Sequence, residues 1–134
     1  MPSLFTWPVR VYYEDTDAGG IVYYANYLKF FERARTEWLR ALDIGQQAII
    51  DAHGAGFVVR SAQIDYHAAA RLDDEIILIL DIAKFGRASV IFSQKALRGG
   101  LLLASAQVKV GCVDLSTLRP RAFPDDAAVK MRAT

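Results

Sequence analysis

The sequence predicts an α+β fold in which one antiparallel sheet wraps around a single long central helix. One strongly amphipathic segment precedes four consecutive strand-like segments joined by short turns, an order typical of α+β domains. The helical segment carries bulky apolar residues over much of its circumference, as a helix enclosed by a curved sheet requires. A chain of 134 residues is most simply a single domain, 1–134, which can bury a sizeable core.

The N-terminal elements follow from residue type and periodicity. β-branched and aromatic residues predict a first strand over residues 9–14. Apolar residues then recur at three- and four-residue spacing, which predicts a helix over 25–42. We expect Gly45 to end this helix, because glycine readily adopts the left-handed conformation that follows many helices. A short second helix is predicted over 46–52.

The rest of the chain is predicted to form four strands, then a proline-bracketed loop and a short tail helix; the strands cover 57–67, 75–84, 88–97 and 101–114. The last strand alternates most clearly, and its expected buried face consists of Leu102, Ala104, Ala106, Val108, Val110 and Cys112. The segment 76–82 is apolar on both faces. Either one of these faces meets another subunit, in a homodimer or larger assembly, or the strand is central in its sheet.

Composition narrows the functional classes. The net charge of +1 gives no bulk electrostatic reason to expect nucleic acid as a partner. The sequence shows neither a signal peptide nor an apolar run of membrane-spanning length, so we expect a cytoplasmic protein without a membrane span. Cys112 is expected in the core and His67 at a surface or hydrogen-bonded position. With one cysteine, two histidines and no dinucleotide or phosphate-loop motif, neither a metal nor a cofactor is expected.

The turn before the long helix holds the strongest candidates for chemistry. Residues 13–27 combine three carboxylates, a glycine pair and four tyrosines. A carboxylate on this turn can attack an activated carbonyl or deprotonate water, and spacing alone does not choose between Asp15 and Asp17. Unsatisfied backbone N–H groups near Tyr24 to Asn26 can stabilise an oxyanion. The alternative interpretation is a solvated acidic turn or a helix cap.

Three groups of residues carry a family resemblance: Arg10-Val11, Thr16-Asp17, Gly20-Ile21-Val22, Tyr24, Tyr27 and Phe31-Glu32-Arg33-Ala34-Arg35; Ile64-Asp65-Tyr66 with Ala70-Arg71-Leu72-Asp73-Asp74-Glu75; and Pro120-Arg121-Ala122-Phe123-Pro124. Together they resemble the 4-hydroxybenzoyl-CoA thioesterase family of hot-dog-fold enzymes, and most closely its YbgC-type acyl-CoA thioesterase branch. The likeness covers nearly the whole chain, and its signature is fairly specific.

The resemblance implies a hot-dog fold, dimers that pair their sheets, and active sites at the subunit interface. It also implies an enzyme that hydrolyses acyl-CoA to a free acid and coenzyme A. The catalytic carboxylate of this family corresponds to Asp17, acting as nucleophile or general base, and the main-chain N–H of Tyr24 polarises the thioester carbonyl. Many YbgC-type relatives have histidine at the position of Tyr24, so here we expect main-chain donation and packing instead of an imidazole role.

Binding of coenzyme A requires positive and polar groups near its phosphates. Gly20 permits close approach of the backbone to a ligand. The other candidates are Arg60, Lys84, Arg87 and Ser89. Arg60 is expected to share a strand face with Ala62, Ile64 and Tyr66. For each candidate, a solvated charge cluster is the alternative.

Two further functional hypotheses compete with acyl-CoA hydrolysis. The first is hydrolysis of a thioester carried by acyl carrier protein. The second is a binding or scaffold module of lipid or envelope metabolism with a vestigial site, against which the intact Asp17 argues.

Overall fold

The structure, a computed structural model, describes residues 4–134. Residues 1–3 lie outside the described residues. They begin the N-terminal segment, in which no signal peptide is expected. Within 4–134 the helices and strands are β1 (Phe5–Arg10), α1 (Asn26–Ala41), α2 (Gln46–His53), β2 (Ala55–Tyr66), β3 (Glu75–Phe85), β4 (Ser89–Arg98), β5 (Leu101–Asp114) and α3 (Asp125–Arg132). The elements from α1 to β5 agree with the predicted ones to within two residues at each end, and α3 is the short tail helix that was predicted without bounds.

One antiparallel sheet with the strand order β1-β3-β4-β5-β2 wraps around α1. Phe30, Phe31 and Ala34 of α1 are fully buried, in one cluster with inner residues of the sheet such as Leu78 and Val108. Burial of one phenylalanine side chain stabilises a fold by about 1.5–3 kcal/mol. The predicted α+β architecture is therefore confirmed. No helix in the described chain is long and apolar enough to cross a bilayer.

The first strand differs from the one predicted over residues 9–14. Strand β1 ends at Arg10, because its only partner in the sheet, β3, begins opposite this residue. The amide of Tyr12 then donates to the carboxylate of Asp15 at 2.8 Å, in place of a ladder hydrogen bond. The chain consequently turns through a short 3₁₀ segment, Tyr13–Asp15, before the glycine pair.

The expectation that Gly45 ends α1 is wrong. The helix ends at Ala41, and Asp43 takes the left-handed conformation with a φ of 60°. The amide of Ile44 donates to the carbonyl of Leu39 at 2.9 Å, which is the hydrogen bond of a Schellman motif. Ile44 is buried, so its packing fixes where the helix stops. Gly45 instead precedes α2 with an ordinary φ of −92°.

A β-bulge changes the face on which Arg60 lies. The pairing of β2 with β5 shifts by one residue at this position. The stem of Arg60 lies over Gly111 on the outer face of the sheet, where an added Cβ would be 3.1 Å from the Cγ of Arg60. The expected place beside Ala62, Ile64 and Tyr66 is therefore wrong, because one inserted residue reverses the alternation of a strand.

A second irregularity affects the start of β5. The predicted buried face is confirmed from Ala104 to Cys112, but not at Leu102. A register shift against β4 places Leu103 in the core with no exposed surface, and Leu102 is only half-buried.

The segment that is apolar on both faces lies in β3, an internal strand between β1 and β4. β3 is therefore flanked by a strand on each side, as in the alternative in which this segment is central in its sheet. Ile76 and Leu78 are buried on the inner face, and Ile77 and Ile79 remain half-buried on the outer face.

Candidate active site

Residues 16–22, here called the Asp17 turn, form a compact loop closed by backbone hydrogen bonds. The amide of Asp17 donates to the carbonyl of Ile21 at 2.9 Å, and the amide of Gly20 donates to the carbonyl of Asp17 at 3.0 Å. Gly20 has a φ of +79°, which a residue with a Cβ adopts only with strain. Open space surrounds the position where a Cβ would stand on Gly20, so a ligand can approach the backbone there.

The loop 67–74, which joins β2 to β3, supports the Asp17 turn. Ile21 forms an isolated β-bridge with Arg71. The amide of Val22 donates to the carbonyl of Ala70 at 2.8 Å. These contacts fix the turn to the body of the sheet.

Asp74 holds this supporting loop in place. Its carboxylate accepts a hydrogen bond from the backbone amide of Arg71 at 2.9 Å and another from the guanidinium of Arg98 at 3.0 Å. The amide of Arg71 and the charge of Arg98 lower the pKa of Asp74, so the carboxylate is ionised at neutral pH.

Asp15, the first of the two candidate carboxylates, is buried and fully engaged. One of its oxygens accepts the amide of Tyr12 at 2.8 Å, and the other accepts the side-chain amide of Asn26 at 2.9 Å. Its backbone carbonyl also accepts the amide of Tyr23 at 2.9 Å. Asp15 therefore ties the end of β1 to the start of α1 and offers no free oxygen to a substrate.

Asp17 has different surroundings, because its side chain is exposed to solvent. Its Oδ1 accepts the amide of Gly19 at 2.9 Å, which fixes the direction of the carboxylate. Among the hydrogen bonds of residues 4–134, none involves its Oδ2. Asp17 is thus the carboxylate of the turn that keeps an oxygen available for a reaction.

The start of α1 leaves backbone donors without partners. The amides of Tyr24 and Ala25 make no hydrogen bond to any described residue, whereas the amide of Asn26 donates to the carbonyl of Tyr23 at 2.8 Å. The expectation of a free donor is therefore wrong at Asn26. The Tyr24 side chain is 61% exposed and packs edge-on against the ring of Tyr66.

Arg60, Arg87 and Ser89 come together at one end of the sheet. Ser89 begins β4 opposite Gly111, against which Arg60 lies, and Arg87 is in the hairpin just before β4. The Asp17 turn packs at the other end, where β4 finishes. β4 has 10 residues, so these ends are about 30 Å apart. Within one protomer, Gly20 is consequently the only predicted substrate-binding residue beside Asp17.

An open groove runs along α1 where it meets the edge strand β2. Val59 and Leu28, on opposite walls of this groove, are 53% and 45% exposed. Arg35 also lines it, and its guanidinium donates to the side-chain oxygen of Gln94 at 3.0 Å. Gln94 is fully buried and donates in turn to the carbonyl of Phe31 at 3.0 Å. Burial lowers the pKa of Arg35.

Several contacts of this region were not predicted from the sequence. The bond between Asp15 and Asn26 joins residues 11 apart, and the bond between Arg35 and Gln94 joins residues 59 apart. The one available signal was Gln94 itself, a polar residue at an inward position of an alternating strand.

The two other residues singled out in the sequence lie where they were expected. Cys112 is fully buried, and burial raises the pKa of its thiol. The Nε2 atom of His67 is 3.0 Å from the hydroxyl of Ser105 on the sheet surface.

The family model of the thioesterase-like superfamily matches residues 11–131. The acyl-CoA thioesterase YbgC of Haemophilus influenzae is 50% identical over 122 residues, which are 91% of this chain and 90% of that protein. The chain belongs to this superfamily, in its YbgC-type branch.

Two further proteins are similar to this YbgC-type chain. The acyl-CoA thioester hydrolase YbgC of Escherichia coli O157:H7 is 46% identical over 131 residues, which are 97% of each chain. Among solved structures, a 1,4-dihydroxy-2-naphthoyl-CoA thioesterase from Synechocystis matches with a TM-score of 0.89 at 25% identity, covering 97% of this chain and 96% of that one. The hot-dog fold implied by the resemblance is therefore confirmed.

Proposed function

We propose that this YbgC-type protein is an acyl-CoA thioesterase that hydrolyses the thioester to a free acid and coenzyme A. The observation that carries the proposal is Asp17, an exposed carboxylate with one unbonded oxygen in the loop that leads to the free amide of Tyr24. Acyl transfer requires a nucleophile or base and an oxyanion donor, and these two groups supply them. The names of the relatives from H. influenzae and E. coli support the same chemistry.

Asp17 acts as nucleophile or as general base. As nucleophile, its carboxylate attacks the thioester carbon, coenzyme A leaves as a thiolate that takes up a proton, and water hydrolyses the mixed anhydride. As general base, it removes a proton from a water molecule that attacks the same carbon. Both routes pass through an oxyanion, which the main-chain N–H of Tyr24 stabilises. Loss of one such donor typically lowers kcat by about 10²- to 10³-fold.

The proposal includes a homodimer, or a tetramer of such dimers, formed through the edge of β2. This strand has 12 residues and no neighbour beyond it in the described protomer. Edge strands that expose apolar residues, as β2 exposes Val59, pair readily with a second chain. A two-fold axis beside β2 pairs the two copies antiparallel, so that opposite ends of the two strands meet.

This pairing gives the distant polar residues a role in substrate binding. The end of one copy that carries Arg60, Arg87 and Ser89 approaches the Asp17 turn of the other copy. Arg60 and Arg87 then attract the phosphates of coenzyme A, and Ser89 offers a hydroxyl. Gly20 lets the backbone of the Asp17 turn approach the thioester closely.

The experiment that tests the function is an assay of hydrolysis with a panel of short, long and aromatic acyl-CoAs. The release of the coenzyme A thiol is the measured signal. Asp17→Asn keeps the shape of the side chain and removes its charge, so kcat is expected to fall by at least about 10²-fold. Asp51→Asn, an exposed change on α2, is the matched control and is expected to retain wild-type turnover. Wild-type kcat in Asp17→Asn on every active substrate would refute the assignment.

A further inference from the structure

Tyr66 connects the edge of the sheet to the start of α1. It is the last residue of β2, and its hydroxyl donates to the carbonyl of Tyr24 at 2.8 Å. Its ring packs edge-on against the rings of Tyr24 and Tyr27, at centroid distances of 6.0 Å and 5.7 Å. Tyr27 is 3% exposed, so the ring of Tyr66 rests on a side chain that belongs to the core.

The peptide planes on the two sides of Tyr24 are held by different partners. The preceding plane carries the free N–H of Tyr24, and its carbonyl, that of Tyr23, accepts the amide of Asn26 at 2.8 Å. The following plane carries the carbonyl that accepts the Tyr66 hydroxyl. The helix itself gives this carbonyl only a long bond of 3.4 Å, from the amide of Tyr27. Hydrogen bonds of that length are weak, so Tyr66 is the stronger restraint on the second plane.

We propose that Tyr66 is a positioning residue of the thioesterase site, whose hydroxyl holds the Tyr24 backbone so that the Tyr24 N–H stays directed at the oxyanion. This inference rests on the proposed function. A donor stabilises a developing charge most when it needs no rearrangement during the reaction, and small misplacements are costly. Burial raises the pKa of Tyr66, so the hydroxyl remains a donor throughout the neutral range.

The test replaces Tyr66 with phenylalanine, which removes the hydroxyl and keeps the ring. We expect kcat to fall about tenfold while KM stays within about twofold of wild type, because the positioned amide acts mainly in the transition state. The Kd of an alkyl-CoA thioether, which lacks the thioester carbonyl, is expected to be unchanged. Tyr13→Phe is the matched control, because the Tyr13 side chain is 84% exposed, and it is expected to retain wild-type kcat.

A second measurement reports on position without activity. In ¹⁵N-labelled protein, the amide signals of Tyr24 and Ala25 are expected to shift in Tyr66→Phe and to stay in place in Tyr13→Phe. Wild-type kcat and unshifted amide signals in Tyr66→Phe would overturn the positioning role and leave the proposed function intact. A rise in KM that accounts for the whole loss of kcat/KM would also overturn it. A wild-type protein that hydrolyses no acyl-CoA would overturn the proposed function, and the role of Tyr66 with it.

Discussion

Asp15 and Asp17 are two residues apart, and their different hydrogen bonds indicate different roles, one in the stability of the fold and the other in the proposed reaction. Both oxygens of Asp15 accept hydrogen bonds, one from the Tyr12 amide and the other from the side-chain NH₂ of Asn26. A carboxylate suits such a place, because it accepts on both oxygens. Asp17 accepts one bond within its own turn and has an oxygen left over. Asp15 should therefore matter for folding, and Asp17 for turnover.

Asp15→Ala tests this division. The variant leaves the Tyr12 amide and the buried side-chain NH₂ of Asn26 without an acceptor, which is expected to lower the free energy of unfolding by about 2–3 kcal/mol. Asp17→Asn, at an exposed position, is expected to change that free energy by less than about 0.5 kcal/mol. Urea unfolding at pH 7 measures the free energy of unfolding of both variants. Equal stability of the two would contradict the anchoring role assigned to Asp15.

At the scale of residues, the sequence could locate the chemistry but could not assign every partner. The composition of the turn pointed to Asp15 and Asp17, and family resemblance chose between them. Arg60 was placed on the wrong face, because a single inserted residue reverses strand alternation and leaves no mark in the pattern. The bond from Tyr66 to Tyr24 spans 42 residues, a separation that no local pattern encodes.

At the scale of elements, the end of α1 shows which local signal determines a boundary. A glycine and an aspartate two residues apart both suit a left-handed position, and the structure uses Asp43. The buried side chain of Ile44 follows it directly and closes the Schellman motif. Periodicity therefore predicted the body of this helix, and tertiary packing of one side chain set its last residue.

This assignment predicts that two alanine substitutions differ in their effect on stability. Asp43→Ala places a residue without a local hydrogen-bonding group in the left-handed region and is expected to cost about 1 kcal/mol of stability. Gly45→Ala is expected to change stability by less than about 0.5 kcal/mol, because its φ is −92° and the nearest atom to an added Cβ is 3.7 Å away. Denaturant unfolding compares them, and a larger loss for Gly45→Ala would restore glycine as the helix stop.

At the scale of the whole molecule, the proposed reaction needs more than one protomer provides. The Asp17 turn and the cluster of Arg60, Arg87 and Ser89 lie at opposite ends of the sheet, about 30 Å apart. The proposed pairing of two β2 edges would bring these ends together from different copies. The sequence and its resemblance predicted the fold and an interface site, but the separation of the two groups becomes visible only once strand order and direction are known.

Mixing two inactive variants tests whether the site is shared. One variant carries Asp17→Asn; the other carries Arg60→Ala and Arg87→Ala. If Asp17 of one copy works with the arginines of the other, each heterodimer contains one intact site. Random exchange of protomers then restores about a quarter of the wild-type sites, since half of the dimers are mixed and each has one site in two.

The assay measures thiol release at acyl-CoA concentrations below KM, after the two 14.9 kDa chains have been unfolded and refolded together. The same mixture left without subunit exchange is the control and is expected to show only the average of the two variants. If the activity of the refolded mixture stays at this average, Asp17 and the arginines do not form a site shared between two copies. Recovery toward a quarter of the wild-type activity would show that Asp17 of one copy works with Arg60 and Arg87 of the other, because neither variant chain carries all three residues.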